Sequence, residues 1–234
     1  MTGHTRALLA EAAGTFMFFF IGAGAIVATG GADLVAIALA HGLSLAVAVS
    51  SFGALSGGHF NPAVTFGLAV AGKHPWPRVA TYSVAQTAGA LVAGFALRYA
   101  FEFDPSALSR THVGTPALGG GVSAAAGIVV EAILTLFLLW AVFGTAVSPL
   151  APRIAGFGIG LAVAADILVG GPITGAAMNP ARWLGPAVAA GFYQDWYVYF
   201  VGPLVGAALA GLSYRYAFAP PEGRAPATPV APRA

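Results

Sequence analysis

The residue pattern with the clearest chemical potential is Asn-Pro-Ala, which occurs twice, as Asn61-Pro62-Ala63 and Asn179-Pro180-Ala181. Small, flexible residues precede each copy, and a short apolar run follows it. Asparagine is a favoured helix N-cap, and proline suits the first helical position because its missing N–H would be unpaired there anyway. Each copy therefore predicts an irregular segment ending at a helix start, where free N–H groups and partial positive charge can receive a polar molecule.

Catalytic chemistry has no comparable support. The chain has no cysteine, which excludes disulfides, cysteine–metal sites and thiol catalysis. No nucleophile–base pair and no cluster of metal ligands stands out, so the sequence predicts neither an enzyme nor a cofactor. The net charge of +2 is small and scattered, which argues against nucleic-acid binding.

The composition predicts an integral membrane protein. Hydrophobic residues make up 58% of the chain, charged residues only 8%, and the mean hydropathy is +0.83. Soluble domains carry roughly 25% charged residues, so this chain cannot cover a water-facing surface of its size. We therefore expect one membrane domain.

Crossing a bilayer takes about 20 apolar residues in a helix. Six segments qualify: Ala7–Thr29, Leu34–Leu55, Val79–Phe101, Val122–Ala146, Arg153–Val169 and Trp196–Phe218. Two shorter runs, Asn61–Ala71 and Asn179–Ala190, begin at the two motifs. They predict re-entrant half-helices, because irregular backbone at membrane depth is tolerated only where protein or a water-filled cavity satisfies it.

The order of elements repeats. In each half, a span containing a glutamate (Glu11, then Glu131) precedes another span, a half-helix and a third span. Three spans is an odd number, so the second copy is inverted and the two half-helices can meet at the midplane. We expect a single channel domain over residues 1–218, with repeats at about 7–101 and 122–218. The Pro- and Ala-rich stretch 219–234 predicts a disordered tail.

The basic residues predict the orientation. A cytoplasmic N-terminus places most of them on the cytoplasmic side: Arg6, Lys73, Arg78, Arg153, Arg215, Arg224 and Arg233. Both termini are then cytoplasmic, and the loop between residues 102 and 121 lies outside. The compact loops favour a plasma (inner) membrane.

Arg182 follows the second motif asparagine by three residues. With the two half-helices and the glutamate-opened inverted repeats, this resembles the aquaporin (major intrinsic protein) family over essentially the whole chain. The resemblance implies an all-α membrane protein with six transmembrane helices and two re-entrant half-helices, assembled as a homotetramer in the lipid bilayer. It also implies a passive channel for water and small neutral solutes such as ammonia, urea, hydrogen peroxide and glycerol, which excludes ions and protons.

The resemblance assigns roles to individual residues. Asn61 and Asn179 donate to solute at the pore centre, where the two converging helix ends repel cations. Glu11 and Glu131 bond the loop backbone. The carbonyl groups that line the pore belong to Gly57, Gly58, His59, Gly175, Ala176 and Ala177. The selectivity filter consists of His41, Ile167, Ala176 and Arg182, with His112 as a candidate extension.

The filter resembles the tonoplast-type plant branch, as does the stretch Ile167-Leu168-Val169-Gly170-Gly171-Pro172. Strict water channels have an aromatic residue and a histidine where His41 and Ile167 stand, so a wider, less polar constriction is expected here, with His41 and Arg182 as donors. Trp183 departs from the family pattern, and neither it nor Asp166 receives a role.

Two other classes of function fit parts of the pattern. Secondary transporters also use inverted repeats with broken helices, although these spans lack charged pairs for ion coupling. A structural membrane junction protein with a vestigial pore is the second alternative. Flux that is linear in the gradient, without proton or sodium dependence, distinguishes a channel from both.

Overall fold

The computed structural model describes residues 1–220, and within that range the chain is helical without a β-strand. The α-helices are α1 (Gly3–Ala28), α2 (Leu34–Ser56), α3 (Pro62–Val70), α4 (Trp76–Ala100), α5 (Pro105–Thr111), α6 (Ala124–Val142), α7 (Phe157–Thr174), α8 (Pro180–Ala190) and α9 (Val198–Ser213). The predicted tail lies outside the described residues except for residues 219–220.

Five of the described helices are long and apolar enough to cross a membrane, namely α1, α2, α4, α6 and α7. The α-helical part of α9 has 16 residues, and helical backbone continues as a π-helix over Tyr214–Phe218. That continuation ends where the predicted sixth span ends. The outer faces of these helices expose large apolar side chains, as expected for helices surrounded by lipid. The protein is a multi-pass integral membrane protein.

The predicted end of the fifth span is wrong. The predicted span stopped at Val169, before Gly170-Gly171-Pro172, but α7 continues through Pro172 to Thr174. It ends at Gly175, whose φ of 79° is the left-handed conformation that glycine adopts readily. The start is also later than predicted, at Phe157, so the whole span shifts toward the second motif.

The loop between residues 102 and 121 contains more structure than predicted. It holds α5 and a 3-10 turn over His112–Gly114. Asp104 caps α5 by accepting the N–H of Ala107 at 3.0 Å, and this hydrogen bond holds the pKa of Asp104 below its usual value. The turn brings the Gly114 carbonyl group toward the interior of the helix bundle.

The helix order repeats as α1–α4 and α6–α9, with α5 as the connection. In the first half α1 packs on α2 and α4; in the second, α6 packs on α7 and α9. Helices α2 and α7 join the two halves through the close approach of Gly42 and Gly160. The short helix α3 packs on α9, and α8 packs on α4, so each half-helix is held by the other repeat.

Candidate functional site

The two motif asparagines begin the half-helices as predicted. Asn61 Oδ1 accepts the N–H groups of Ala63 (2.8 Å) and Val64 (3.4 Å), and Asn179 Oδ1 accepts those of Ala181 (3.0 Å) and Arg182 (3.2 Å). Each side-chain oxygen therefore faces its own helix, and each amide nitrogen points away from it.

The amide nitrogens connect the two halves. Asn61 Nδ2 donates to the Met178 carbonyl group at 2.8 Å, and Asn179 Nδ2 donates to the Phe60 carbonyl group at 3.0 Å. An amide NH₂ has two N–H groups, so each asparagine keeps one N–H beyond this bond. Both asparagines line the same cavity, into which that N–H can donate.

This cavity is narrow and mostly apolar. Its volume is about 20 Å³, which is room for a water-sized molecule. Side chains from both halves form its wall: Phe18, Leu45, Val64, Leu138, Ile159 and Val163. The sequence did not identify them, because an apolar residue facing a pore and one facing lipid are of the same type.

The four predicted filter residues come together along this cavity. His41, Ile167, Ala176 and Arg182 all line it and are only 1–2% exposed. Gly22 makes room for the imidazole of His41, since a Cβ at that position would overlap the ring. One charged, one aromatic and two apolar side chains therefore line the same cavity.

The orientation of the His41 ring determines which polar atom it offers. Its Nδ1 lies 2.9 Å from the Ile37 carbonyl oxygen, which can only accept, so Nδ1 carries the proton. In the neutral ring Nε2 is then an acceptor, and it is buried without a partner among residues 1–220. Neutral His41 therefore offers the cavity an acceptor, where the sequence predicted a donor.

Arg182 is held by backbone. Its Nη1 donates to the Gly114 carbonyl oxygen at 2.8 Å, while Nε is buried without a partner in the described part of the chain. The charged group is therefore fixed by the 3-10 turn after α5 and keeps N–H groups for other acceptors. The sequence could not indicate Gly114 as the partner, because every residue has a carbonyl group.

The predicted contacts of the two glutamates with loop backbone are present. Both side chains are fully buried. Glu11 accepts the N–H groups of His59 (3.0 Å) and Phe60 (2.7 Å). Glu131 accepts those of Ala177 (2.9 Å) and Met178 (2.6 Å). Each glutamate also accepts a hydrogen bond from the hydroxyl group of the residue just before its loop, which is Ser56 at the end of α2 for Glu11 and Thr174 at the end of α7 for Glu131.

Only part of the predicted carbonyl series lines the cavity, namely Gly58, His59, Ala176 and Ala177. Gly57 and Gly175 do not line it. They are the left-handed C-caps of α2 and α7, with φ of 97° and 79°. The carbonyl groups that meet the asparagines belong instead to Phe60 and Met178, whose φ values of 47° and 52° are also left-handed.

A ring cluster surrounds His59, which lines the cavity on the side of the first repeat. The His59 ring packs edge-on against His74, with centroids 4.8 Å apart, and tilts against Tyr82 at 5.2 Å. His59 Nδ1 also lies 3.0 Å from Thr65 Oγ1, so the ring is held against the first half-helix. Burial, together with the nearby charge of Arg78, lowers the pKa of His74 in its loop.

His112, Asp166 and Trp183 lie away from the central cavity. His112 stacks on Phe192, with ring centroids 4.0 Å apart, and lines two outer cavities, one of which also contacts Ile167. Asp166 is buried in α7 beside Ile167, and its Oδ2 has no partner among the described residues. Trp183 is 1% exposed and stacks on Tyr199.

Comparison with known proteins identifies the family. Residues 2–214 match the family model described as Major intrinsic protein. The chain belongs to the major intrinsic protein family. It is similar to aquaporin TIP4-4 of Zea mays, at 45% identity covering 96% of this chain and 91% of the relative. It is also similar to the probable aquaporin TIP2-2 of Oryza sativa subsp. japonica, at 44% identity covering 91% and 87%.

The architecture agrees with that of a solved aquaglyceroporin. The X-ray structure of the aquaglyceroporin from Plasmodium falciparum matches with a TM-score of 0.84 over 92% of this chain and 96% of that one. The two sequences are 24% identical, so this likeness bears on the fold alone. It confirms the predicted aquaporin-like fold.

The predicted resemblance to the tonoplast-type branch is confirmed, because the curated relatives are tonoplast intrinsic protein (TIP) aquaporins. Membership of the major intrinsic protein family makes the protein a passive channel for water and small solutes. Neither the secondary transporter nor the structural junction protein gains support from these relatives.

Proposed function

We propose that the cavity between the two half-helices is the conducting pore, and that it passes water and small neutral solutes while excluding ions. One observation carries the proposal. Asn61 and Asn179 each use one N–H to bond the opposite loop, which leaves the second N–H of each for a solute oxygen. Both stand at helix N-termini, whose partial positive charges repel cations. No covalent chemistry is involved.

The filter in this proposal combines a donor with an acceptor. Arg182 donates, neutral His41 accepts at Nε2, and Ile167 and Ala176 provide apolar walls. Solutes that both donate and accept hydrogen bonds match this pair, and ammonia, urea and hydrogen peroxide belong to that class. An ion would lose its hydration shell without an adequate replacement, so it is excluded.

Flux through purified protein in liposomes tests the proposal. Water flux measured by stopped-flow light scattering should rise linearly with the osmotic gradient, without saturation and without dependence on a proton or sodium gradient. Empty liposomes provide the background. Saturation, or coupling to either ion, would indicate a transporter instead.

Ile167→His should reduce the permeability to urea and ammonia more than the permeability to water. The imidazole is no bulkier than the isoleucine side chain, but it reaches one bond further from Cβ into the constriction and adds a polar group for water at the same level. The expected decrease in the urea-to-water ratio is about tenfold, the lower end of the roughly 10–200-fold discrimination that a change of about one atom in the depth of a pocket gives. Ile167→Leu, which keeps both volume and polarity, is the control. A ratio that does not fall in Ile167→His would contradict a wide filter.

Ala176→Cys should make water flux sensitive to mercurial reagents. The chain has no cysteine, so the wild-type protein should resist them. Ala176→Ser controls for size, and Leu168→Cys controls for position because Leu168 is 46% exposed on the outside of α7. Inhibition in Ala176→Cys alone supports the assignment of Ala176 to the pore. Equal inhibition in both cysteine variants would place the effect elsewhere.

The orientation, assembly and domain division belong to the same proposal. We place both termini in the cytoplasm, so Arg182 lies toward the outer side or the lumen. A homotetramer is supported by family membership, and residues 1–218 form one channel domain. In a cell with a vacuole, the TIP relatives favour the vacuolar membrane over the plasma membrane that the sequence predicted.

A further inference from the structure

The two repeats hold their pore loops in different ways. Residues at equal distances from the two motif asparagines can be compared directly: Ser56 corresponds to Thr174, and Thr65 corresponds to Trp183. In each repeat, a tyrosine from the last helix donates its hydroxyl hydrogen to the carbonyl oxygen of Ser56 or Thr174. Tyr82 bonds the Ser56 carbonyl oxygen at 2.9 Å, and Tyr199 bonds that of Thr174 at 3.0 Å. This contact is common to both halves.

In the first repeat a polar network supports the loop behind this tyrosine. Gln86 lies one helical turn after Tyr82, and its Nε2 donates to Glu11 at 2.7 Å and to Thr65 Oγ1 at 2.9 Å. Thr65 in turn donates to the Asn61 carbonyl oxygen at 3.0 Å. The helix and the loop are thus joined by hydrogen bonds.

The second repeat lacks this network within the described residues. Pro203, one turn after Tyr199, has no side-chain donor, and Glu131 accepts three hydrogen bonds where Glu11 accepts four. Trp183 occupies the position that corresponds to Thr65. Its indole lies nearly parallel to the Tyr199 ring, with centroids 5.7 Å apart and an interplanar angle of 11°.

The contribution of Trp183 comes from its ring. The indole is 1% exposed, and Nε1 has no hydrogen-bond partner among residues 1–220. A buried N–H without a partner is destabilising, so the side chain is not held for its polar atom. Its ring neighbours, Tyr199 and Phe200, are aromatic, and such a set fixes ring positions by packing.

Thr174 connects this packing to the filter. Its hydroxyl group donates to Glu131 and accepts the N–H of Ala176 at 3.1 Å. Its carbonyl group accepts from Tyr199. A shift of the Tyr199 ring therefore displaces the peptide two residues before the filter position Ala176. Trp183 also follows Arg182 directly in the chain. The Trp183–Tyr199 stack is therefore connected both to the loop that carries Ala176 and to the start of α8 that carries Arg182.

We propose that Trp183 is a positioning residue that sets the width of the filter. Its indole holds the Tyr199 ring, and the Tyr199 hydroxyl group holds the Thr174 peptide that carries Ala176. The inference rests on the proposed filter of His41, Ile167, Ala176 and Arg182. Aromatic stacking in the second repeat thus replaces the glutamine–threonine network of the first.

The test is the ratio of urea to water permeability in proteoliposomes, which does not depend on the amount of folded protein. Tyr199→Phe removes one hydroxyl group, and Trp183→Ala removes the stack. Each should raise the ratio about fivefold, the change expected from losing one ordinary hydrogen bond. The double variant should equal either single variant, because both act through one contact. Trp183→Phe should restore the wild-type ratio.

The internal symmetry provides a matched control. Tyr82→Phe makes the same chemical change in the first repeat, whose loop carries no filter residue, and should leave the ratio unchanged. Amide hydrogen exchange provides a second readout, in which Tyr199→Phe should speed exchange at Ala176. If Trp183→Ala does not fold, Trp183→Leu takes its place: it keeps a large apolar side chain without the aromatic stack and should also raise the ratio. An unchanged ratio in Trp183→Leu would overturn the role of Trp183.

The outcomes separate this proposal from the one on which it rests. If Ile167→His changes the ratio but Tyr199→Phe and Trp183→Ala do not, the positioning role is wrong and the filter stands. If none of the three changes it, the filter assignment itself is wrong. A rise in Tyr82→Phe equal to that in Tyr199→Phe would reduce the effect to general loosening and overturn the proposal.

Discussion

Asn179→Asp should open the channel to cations. Asn179 Nδ2 donates to the Phe60 carbonyl oxygen at 3.0 Å, and the aspartate would bring a second acceptor to that place. Its negative charge would also offset the partial positive charges, about half an elementary charge each, of the two helix ends. We expect potassium flux to rise at least about tenfold, equivalent to about 1.4 kcal/mol in the barrier.

Asn179→Asp adds a negative charge at this position while disturbing the fold less than most other substitutions would. Aspartate is as good an N-cap as asparagine, so its oxygen can still accept the N–H groups of Ala181 and Arg182. Asn179→Ala, which removes both the cap and the donor without adding charge, is the control. Asn61→Asp should have a similar effect because its contacts mirror those of Asn179. Potassium flux in liposomes is the measurement, and an Asn179→Asp protein that conducts water and still excludes potassium would contradict the pore-centre role.

The sequence was most informative where polar side chains are paired and repeated. Asn61 and Asn179 cap their half-helices, and Glu11 and Glu131 bond the loop backbone, as predicted. A buried carboxylate needs several hydrogen-bond donors. Only 8% of the residues are charged, so few charged side chains are present to supply them. The unpaired N–H groups of a re-entrant loop are the nearest source. These donors need buried acceptors, and the resemblance to the aquaporin family assigns that task to the two glutamates.

The sequence was least informative where the partner is backbone. Asn61 bonds the Met178 carbonyl group, Arg182 that of Gly114 and His41 that of Ile37. Any residue has a carbonyl group, so no residue type marks the partner. The hydrogen bond from His41 Nδ1 to the Ile37 carbonyl group also decides that Nε2 offers the cavity an acceptor and not a donor.

The end of α7 was misplaced for a related reason. Glycine and proline usually indicate a helix end. Pro172 indeed lacks the N–H that would donate to the Leu168 carbonyl group, yet α7 continues to Thr174. The left-handed residue that ends α7 is Gly175, and Thr174 before it is held by Glu131 at 2.7 Å. The glycine cap and the tertiary contact of Thr174 together therefore place the boundary.

Glu131→Ala should destabilise the protein strongly and abolish water flux. Glu131 is fully buried and accepts three hydrogen bonds, from Thr174 Oγ1 (2.7 Å), Ala177 N (2.9 Å) and Met178 N (2.6 Å). Without it these donors remain buried and unpaired. Each unpaired group costs about 1–3 kcal/mol, so the free energy of unfolding should fall by about 3 kcal/mol or more.

A loss of that size lowers the melting temperature by about 6–12 °C in a chain of this length. Thermal unfolding of purified protein in detergent measures it, and Ile133→Ala, at a position 44% exposed on the same helix, should change it little. The melting temperature of Glu131→Gln should lie between those of Glu131→Ala and Ile133→Ala. The amide keeps one oxygen acceptor, but its NH₂ group faces a loop N–H. Since Glu131 holds the loop that carries Ala176, flux should fall in the same order as stability. A Glu131→Ala protein that melts like the wild type and still conducts would show that the loop is held by other contacts.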